Sequence, residues 1–118
     1  MTTETDKTAL LDAEHLTDLF GEGDRDLFEA LLEGAQEDAA VHLAALSPGI
    51  DATAAEAAFH GLKGMAGSLG MLRLQTLASG AMARAEGGQT PDEATMSAVA
   101  QCWIESLEAF RRYGAQLS

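Results

Sequence analysis

The chain is constrained first by where its helices start and stop. Apolar residues recur at spacings of three and four along most of its 118 residues, and no segment alternates Val, Ile or Thr as a half-buried strand does. Asp12 is a cap for a short helix through Phe20, closed by Gly21. Asp24 caps a long second helix whose inner side carries Leu27, Phe28, Leu31, Leu32, Ala35, Ala39, Leu43 and Leu46. Ser47-Pro48-Gly49 ends it. Asp51 opens a third helix, with Ile50 before it as a hydrophobic staple, and the helix is expected to stop at Gly70. A fourth runs from about Leu72 to Glu86 and closes at Gly87-Gly88. Thr90-Pro91-Asp92-Glu93 then reads as a threonine cap, a proline in the first helical position and a glutamate able to reach back. The fifth helix should continue to about Gln116, with Met96, Val99, Trp103, Leu107 and Phe110 on one side. Four long helices with short connections imply an all-α fold. The expected architecture is an antiparallel four-helix bundle with a short additional N-terminal helix across one end.

The third helix carries the chemistry. With 100° per residue, Ala55, Phe59, Leu62, Ala66 and Leu69 form the apolar stripe, and Leu62 faces almost opposite His60. His60 therefore points away from the core. Its own face carries Thr53, Glu56, Ala57, Gly64, Gly67 and Met71, with Lys63 about 60° to one side. Each interior glycine costs roughly 0.8–1.0 kcal/mol relative to alanine. Both lie on the face that presents the imidazole, so another molecule can approach the helix backbone closely there. A neutral imidazole is a competent nucleophile, and an ammonium one turn along can offset the charge of an anion placed on the ring. The spacing thus suits a phosphoryl acceptor. It also fits an exposed histidine on a helix whose small residues merely admit a packed neighbour, the commoner arrangement.

Composition narrows the partners. Seven Lys and Arg against nineteen Asp and Glu give a net charge of −12, which opposes nucleic acid and anionic membranes. No apolar run approaches the eighteen or so residues of a membrane-spanning helix. Residues 1–9 are polar and expected to be a flexible N-terminus without a basic-then-apolar secretory pattern. Residues 10–118 are expected to form a single domain, and the chain to be a whole small protein. One cysteine, Cys102, cannot form an internal disulfide, and it lies among apolar residues as a packed thiol. A cytoplasmic location is expected. His15 reads as a surface histidine without a partner, and His42 lies four residues after Asp38, where a carboxylate–imidazole contact is possible.

The run His60-Gly61-Leu62-Lys63-Gly64, followed by Ser68, Leu69, Gly70 and Leu74, resembles the signature of the histidine-containing phosphotransfer (HPt) family. The resemblance extends over roughly Leu11 to Gly87 and includes the helix spanning 24–46. It implies a phosphocarrier without kinase activity of its own, which relays phosphoryl groups between receiver-domain aspartates in multistep two-component signalling. The family's phospho-acceptor corresponds to His60, its lysine to Lys63, and its small docking-face residue to Gly64. The resemblance implies no cofactor on this chain, with magnesium on the partner receiver, and as partners receiver domains of response regulators and a hybrid sensor kinase. A monomer is expected. Glu56, Ala57, Gly64, Gly67 and Met71 would make the docking face. Two positions depart from the family pattern. Ala35 stands where relatives often have a bulky aromatic. Met82 stands where they often have a polar side chain that helps orient the imidazole.

Other function classes fit less well. A kinase would need a glycine-rich nucleotide loop after a strand and acidic residues to hold magnesium with phosphates, and neither pattern is present. A docking module that binds receivers without relaying phosphate shares the fold and surface, and differs only in making no use of His60. A di-metal bundle is suggested by the pairs Glu56/His60 and Asp38/His42. Such sites use Glu-x-x-His from two helices plus two further glutamates, which this chain does not supply.

Overall fold

In the computed structural model, residues 9–21 and 23–117 are described. Five helices follow one another: α1 (Ala13–Phe20), α2 (Arg25–Ala45), α3 (Ala52–Ser68), α4 (Leu72–Glu86) and α5 (Glu93–Gly114). The expectation for residues 1–8 lies outside the described residues.

Aspartates start four of these helices. Asp12 accepts from the His15 amide at 3.2 Å, Asp24 from Leu27 at 3.0 Å, Asp51 from Ala54 at 2.7 Å and Asp92 from Thr95 at 2.7 Å. Each satisfies an amide that the first turn leaves without an intrahelical partner. The α5 cap is therefore Asp92 and not Thr90. The Asp92 backbone is extended and its carboxylate reaches the third amide of the helix, which leaves Thr90 and Pro91 in the connecting loop. Only α4 lacks a side-chain cap, because Met71 stands at that position. Gly21, Gly49, Gly70 and Gly88 have φ between 57° and 90° and make the turns that let the chain reverse.

α3 packs against α2 on one side and α4 on the other, and α5 closes the ring against both α4 and α2. The short connections make neighbours antiparallel, as expected of a four-helix bundle. The core holds Leu16, Phe20, Phe28, Phe59, Leu62, Leu74, Val99 and Phe110, each at most 3% exposed. Phe20, Phe28 and Phe110 form an aromatic cluster at one end. The Phe28 and Phe110 rings stack at 4.8 Å, and Phe20 meets Phe28 edge-on at 5.4 Å. A Cβ on Gly114 would fall on the Phe28 ring, so the last turn of α5 approaches α2 as closely as only glycine allows. Arg25 donates to the carbonyls of Gly114 at 2.9 Å and Leu117 at 2.8 Å, joining the start of α2 to the end of α5. Cys102 is buried with Ser106 Oγ 3.8 Å from its sulfur, and burial pushes its thiol pKa up, so it stays protonated and inert.

α1 lies across the end of the bundle where α3 turns into α4. The Asp12 amide donates to the Gly70 carbonyl at 2.8 Å, and His15 Nε2 lies 2.8 Å from the Ser68 carbonyl. His15 is thus not a partnerless surface histidine. It is half-buried and bonded to a carbonyl that the last turn of α3 leaves open.

Candidate functional site

α3 is the most deeply packed helix. Ala55, Ala58, Phe59, Leu62, Met65 and Ala66 are all buried along one side. On the other side His60 and Gly64 are exposed, as is Ala57. The same 100° periodicity that buries Phe59 and Leu62 therefore places the imidazole in solvent. No side chain among the described residues hydrogen-bonds to the His60 ring.

Next to His60 lies a shallow depression of about 500 Å³ between α3 and α4. Thr53, Glu56, Ala57 and Lys63 line it from α3, and Met82 and Glu86 from α4. Glu56 and Lys63 are half-buried along their side of the depression. Met82 lines the same depression as the imidazole. At the position where a polar group could orient the ring, this chain offers a thioether, which at most accepts weakly.

Gly64 is open. A Cβ built there meets nothing within 4 Å, which leaves a clear path to the backbone one turn from the imidazole. Gly67 is not equivalent. It is half-buried, and a Cβ there would lie 2.9 Å from the amide nitrogen of Gln75 on α4. Gln75 thus covers part of the surface that the sequence pattern leaves bare. Met71 must be removed from the docking face, since it is 0% exposed. α3 ends at Ser68, and Gly70 turns the chain with φ 68°. The 100° step therefore does not carry over to Met71, which drops into the core at the start of α4.

Three further features depend on tertiary contacts. The His42 ring, from α2, sits against Gly61, where any Cβ would overlap it. Glu86 reaches the His60 depression from α4. Its only sequence signal is that it follows Met82 by one helical turn. A groove of about 200 Å³ runs between α2 and α3, with Ala35 and Gly34 on one wall and Met65 and Leu69 on the other. The small Ala35 side chain leaves room for it. Among the described residues, no three His, Cys, Asp or Glu side chains are arranged to hold a metal ion, and no helix is long and apolar enough to cross a membrane.

No curated protein and no solved structure matches the chain. The family model for the Hpt domain matches residues 26–113, from the first turn of α2 to the last turn of α5, and so spans all four long helices and the His60 surface. An all-helical bundle carrying this match belongs to the Hpt domain family, the phosphocarrier modules of two-component signalling.

Proposed function

We propose that this protein carries a phosphoryl group on His60 and relays it between the aspartates of receiver domains. The observation that supports the reading best is the position of His60, exposed on a helix whose opposite side is buried along its length, with an open glycine one turn away. A neutral ring nitrogen of His60 attacks the phosphorus of a partner's aspartyl phosphate. The new N–P bond forms as the P–O bond to the carboxyl breaks, and the partner's carboxylate leaves with that electron pair. The proton on the other ring nitrogen remains there or passes to water. The reverse reaction, with a second receiver's carboxylate as nucleophile, passes the group on. Lys63 offsets charge on the phosphoryl oxygens during transfer. The magnesium ion and the acidic residues that hold it belong to the receiver, and a hybrid sensor kinase would supply the phosphoryl group upstream.

The test is His60→Ala. The variant should keep its thermal midpoint, because a surface side chain replaced by a good helix former shifts stability by no more than about 0.5 kcal/mol. It should accept no label from a phosphorylated receiver. On the unmodified protein the label should be acid-labile and base-stable, as a phosphoramidate is and an acyl phosphate is not. Undiminished labelling of the variant overturns the assignment. A receiver that binds wild type and variant alike, and labels neither, would favour the docking-only reading.

A further inference from the structure

The depression beside His60 is charged towards its two ends and mostly apolar between them. Glu56 precedes His60 by four residues and Lys63 follows by three, so they lie about 6 Å and about 4.5 Å away along the axis, on opposite sides of the imidazole. α4 runs antiparallel to α3, and Glu86 lies one turn beyond Met82 towards the Glu56 end. One end of the depression therefore holds two carboxylates and the other an ammonium, with Ala57, Met82 and the imidazole between them. None of Glu56, Lys63 and Glu86 forms an ion pair among the described residues. With one cation against two anions, the lining carries a charge of −1 when His60 is neutral. A surface that must receive a phosphoryl dianion is thus left with uncompensated negative charge.

We propose that this polarity fixes the orientation in which a receiver docks and selects receivers that carry a basic surface side chain about one helical turn from the docked imidazole. The proposal rests on His60 being the phospho-acceptor. The phosphoryl group lies at the Lys63 end. The receiver's lysine or arginine lies at the other end, its aliphatic stem on Ala57 and Met82 and its head group between Glu56 and Glu86. Such a cation neutralises the carboxylates that would otherwise repel the approaching phosphoryl group. A receiver with an acidic or neutral residue at that place would leave them unpaired, so the same carboxylates both attract and exclude.

The probe is the receiver domain that transfers fastest to the wild-type protein. Its affinity is measured by calorimetry at low and high salt for wild type, Glu56→Lys, Glu86→Lys and Glu14→Lys, the last an equal charge change on α1 at the far end of the bundle. Thermal midpoints establish that each variant is folded. Glu56→Lys and Glu86→Lys should each weaken binding about five- to tenfold at low salt, a loss of about 1–1.4 kcal/mol. High salt should shrink the difference, and Glu14→Lys should change affinity less than about twofold. Reversing the receiver's surface lysines and arginines one at a time to glutamate should locate one that restores affinity for Glu86→Lys. Equal effects from Glu14→Lys and Glu86→Lys would overturn the proposal, because binding would then follow net charge alone. Failure to find a restoring receiver variant would also overturn it. Labelling of the wild-type protein by phosphoramidate, a small donor that needs no docking, tests His60 separately. If that labelling fails, the phospho-acceptor reading falls, whatever calorimetry says about the charged ends.

Discussion

Gly61 and Gly64 lie three residues apart on the same helix, and the structure assigns opposite consequences to replacing them. At Gly64 an added Cβ meets nothing within 4 Å, whereas at Gly61 it would fall within the His42 ring. Gly64→Ala should therefore return the full helix-propensity gain of about 0.8–1.0 kcal/mol. Gly61→Ala has the same gain available, but it forces His42 out of its seat or pushes α2 from α3. Overpacking of this kind costs about 1–3 kcal/mol, so the net change is a loss of roughly 0–2 kcal/mol. The two variants should then differ by about 1–3 kcal/mol, or several degrees in thermal midpoint for a chain of this size. The decisive construction is a double-mutant cycle with His42→Ala. Once the ring is gone, Gly61→Ala should become stabilising by nearly the Gly64→Ala amount, giving a coupling energy of about 1–3 kcal/mol. Urea unfolding followed by far-UV circular dichroism reads all of these. If Gly61→Ala stabilises the wild-type background as much as Gly64→Ala does, the ring is not seated on α3 and the reasoning fails.

Acid should weaken the start of α5 through the Asp92 cap. The side chain and amide of Thr95 hydrogen-bond to the Asp92 carboxylate and hold its pKa below the ordinary carboxylate value. Because the folded pKa is the lower one, the cap's contribution is present above the unfolded carboxylate pKa and is lost as pH falls through the folded value. Asp92→Asn should flatten that part of the pH–stability curve and Thr90→Ala should leave it unchanged, with thermal midpoints across an acid series as the check. At the proposed site, Lys63→Ala should lower the single-turnover transfer rate more than it weakens receiver binding, since the ammonium acts on the transferring group. An equal loss in both would make Lys63 a docking residue instead. Gly64→Leu should block receiver binding while raising the thermal midpoint, and normal binding by that variant would move the docking face elsewhere.

The features legible in the sequence are those fixed within a few residues of one another. Aspartate caps work through an amide three positions ahead, so Asp12, Asp24 and Asp51 could be read directly. Where two cap residues compete two positions apart, as Thr90 and Asp92 do, local chemistry admits both. The orientation of the loop after Gly88 decides between them. Periodicity placed His60 in solvent and Phe59 and Leu62 inside, because all three lie well within one unbroken helix. It failed at Met71 because the helix had already ended. It gave no sign of Glu86 beside His60, Gln75 over Gly67, His42 against Gly61 or His15 on the Ser68 carbonyl. Those depend on how far one helix slides along another, which is set by side-chain packing between elements and not by spacing within either.

The arrangement of α3 also determines how far a functional variant can be interpreted. Six of its 17 residues are buried, and α2 and α4 hold it from both sides. Its position is therefore fixed by groups that take no part in the proposed chemistry. His60, Ala57 and Gly64 lie outside that buried set, so substituting them removes little packing. Gly61 belongs to the other class although it adjoins His60 in sequence, because its missing side chain is what admits His42. Gly114 belongs there too, through Phe28. A loss of phosphotransfer in a Gly61 variant thus reports first on the α2–α3 spacing, and only through it on the imidazole. The same loss at Gly64, with the midpoint unchanged or raised, reports on the encounter with the receiver, and at Lys63 on the transferring phosphoryl group.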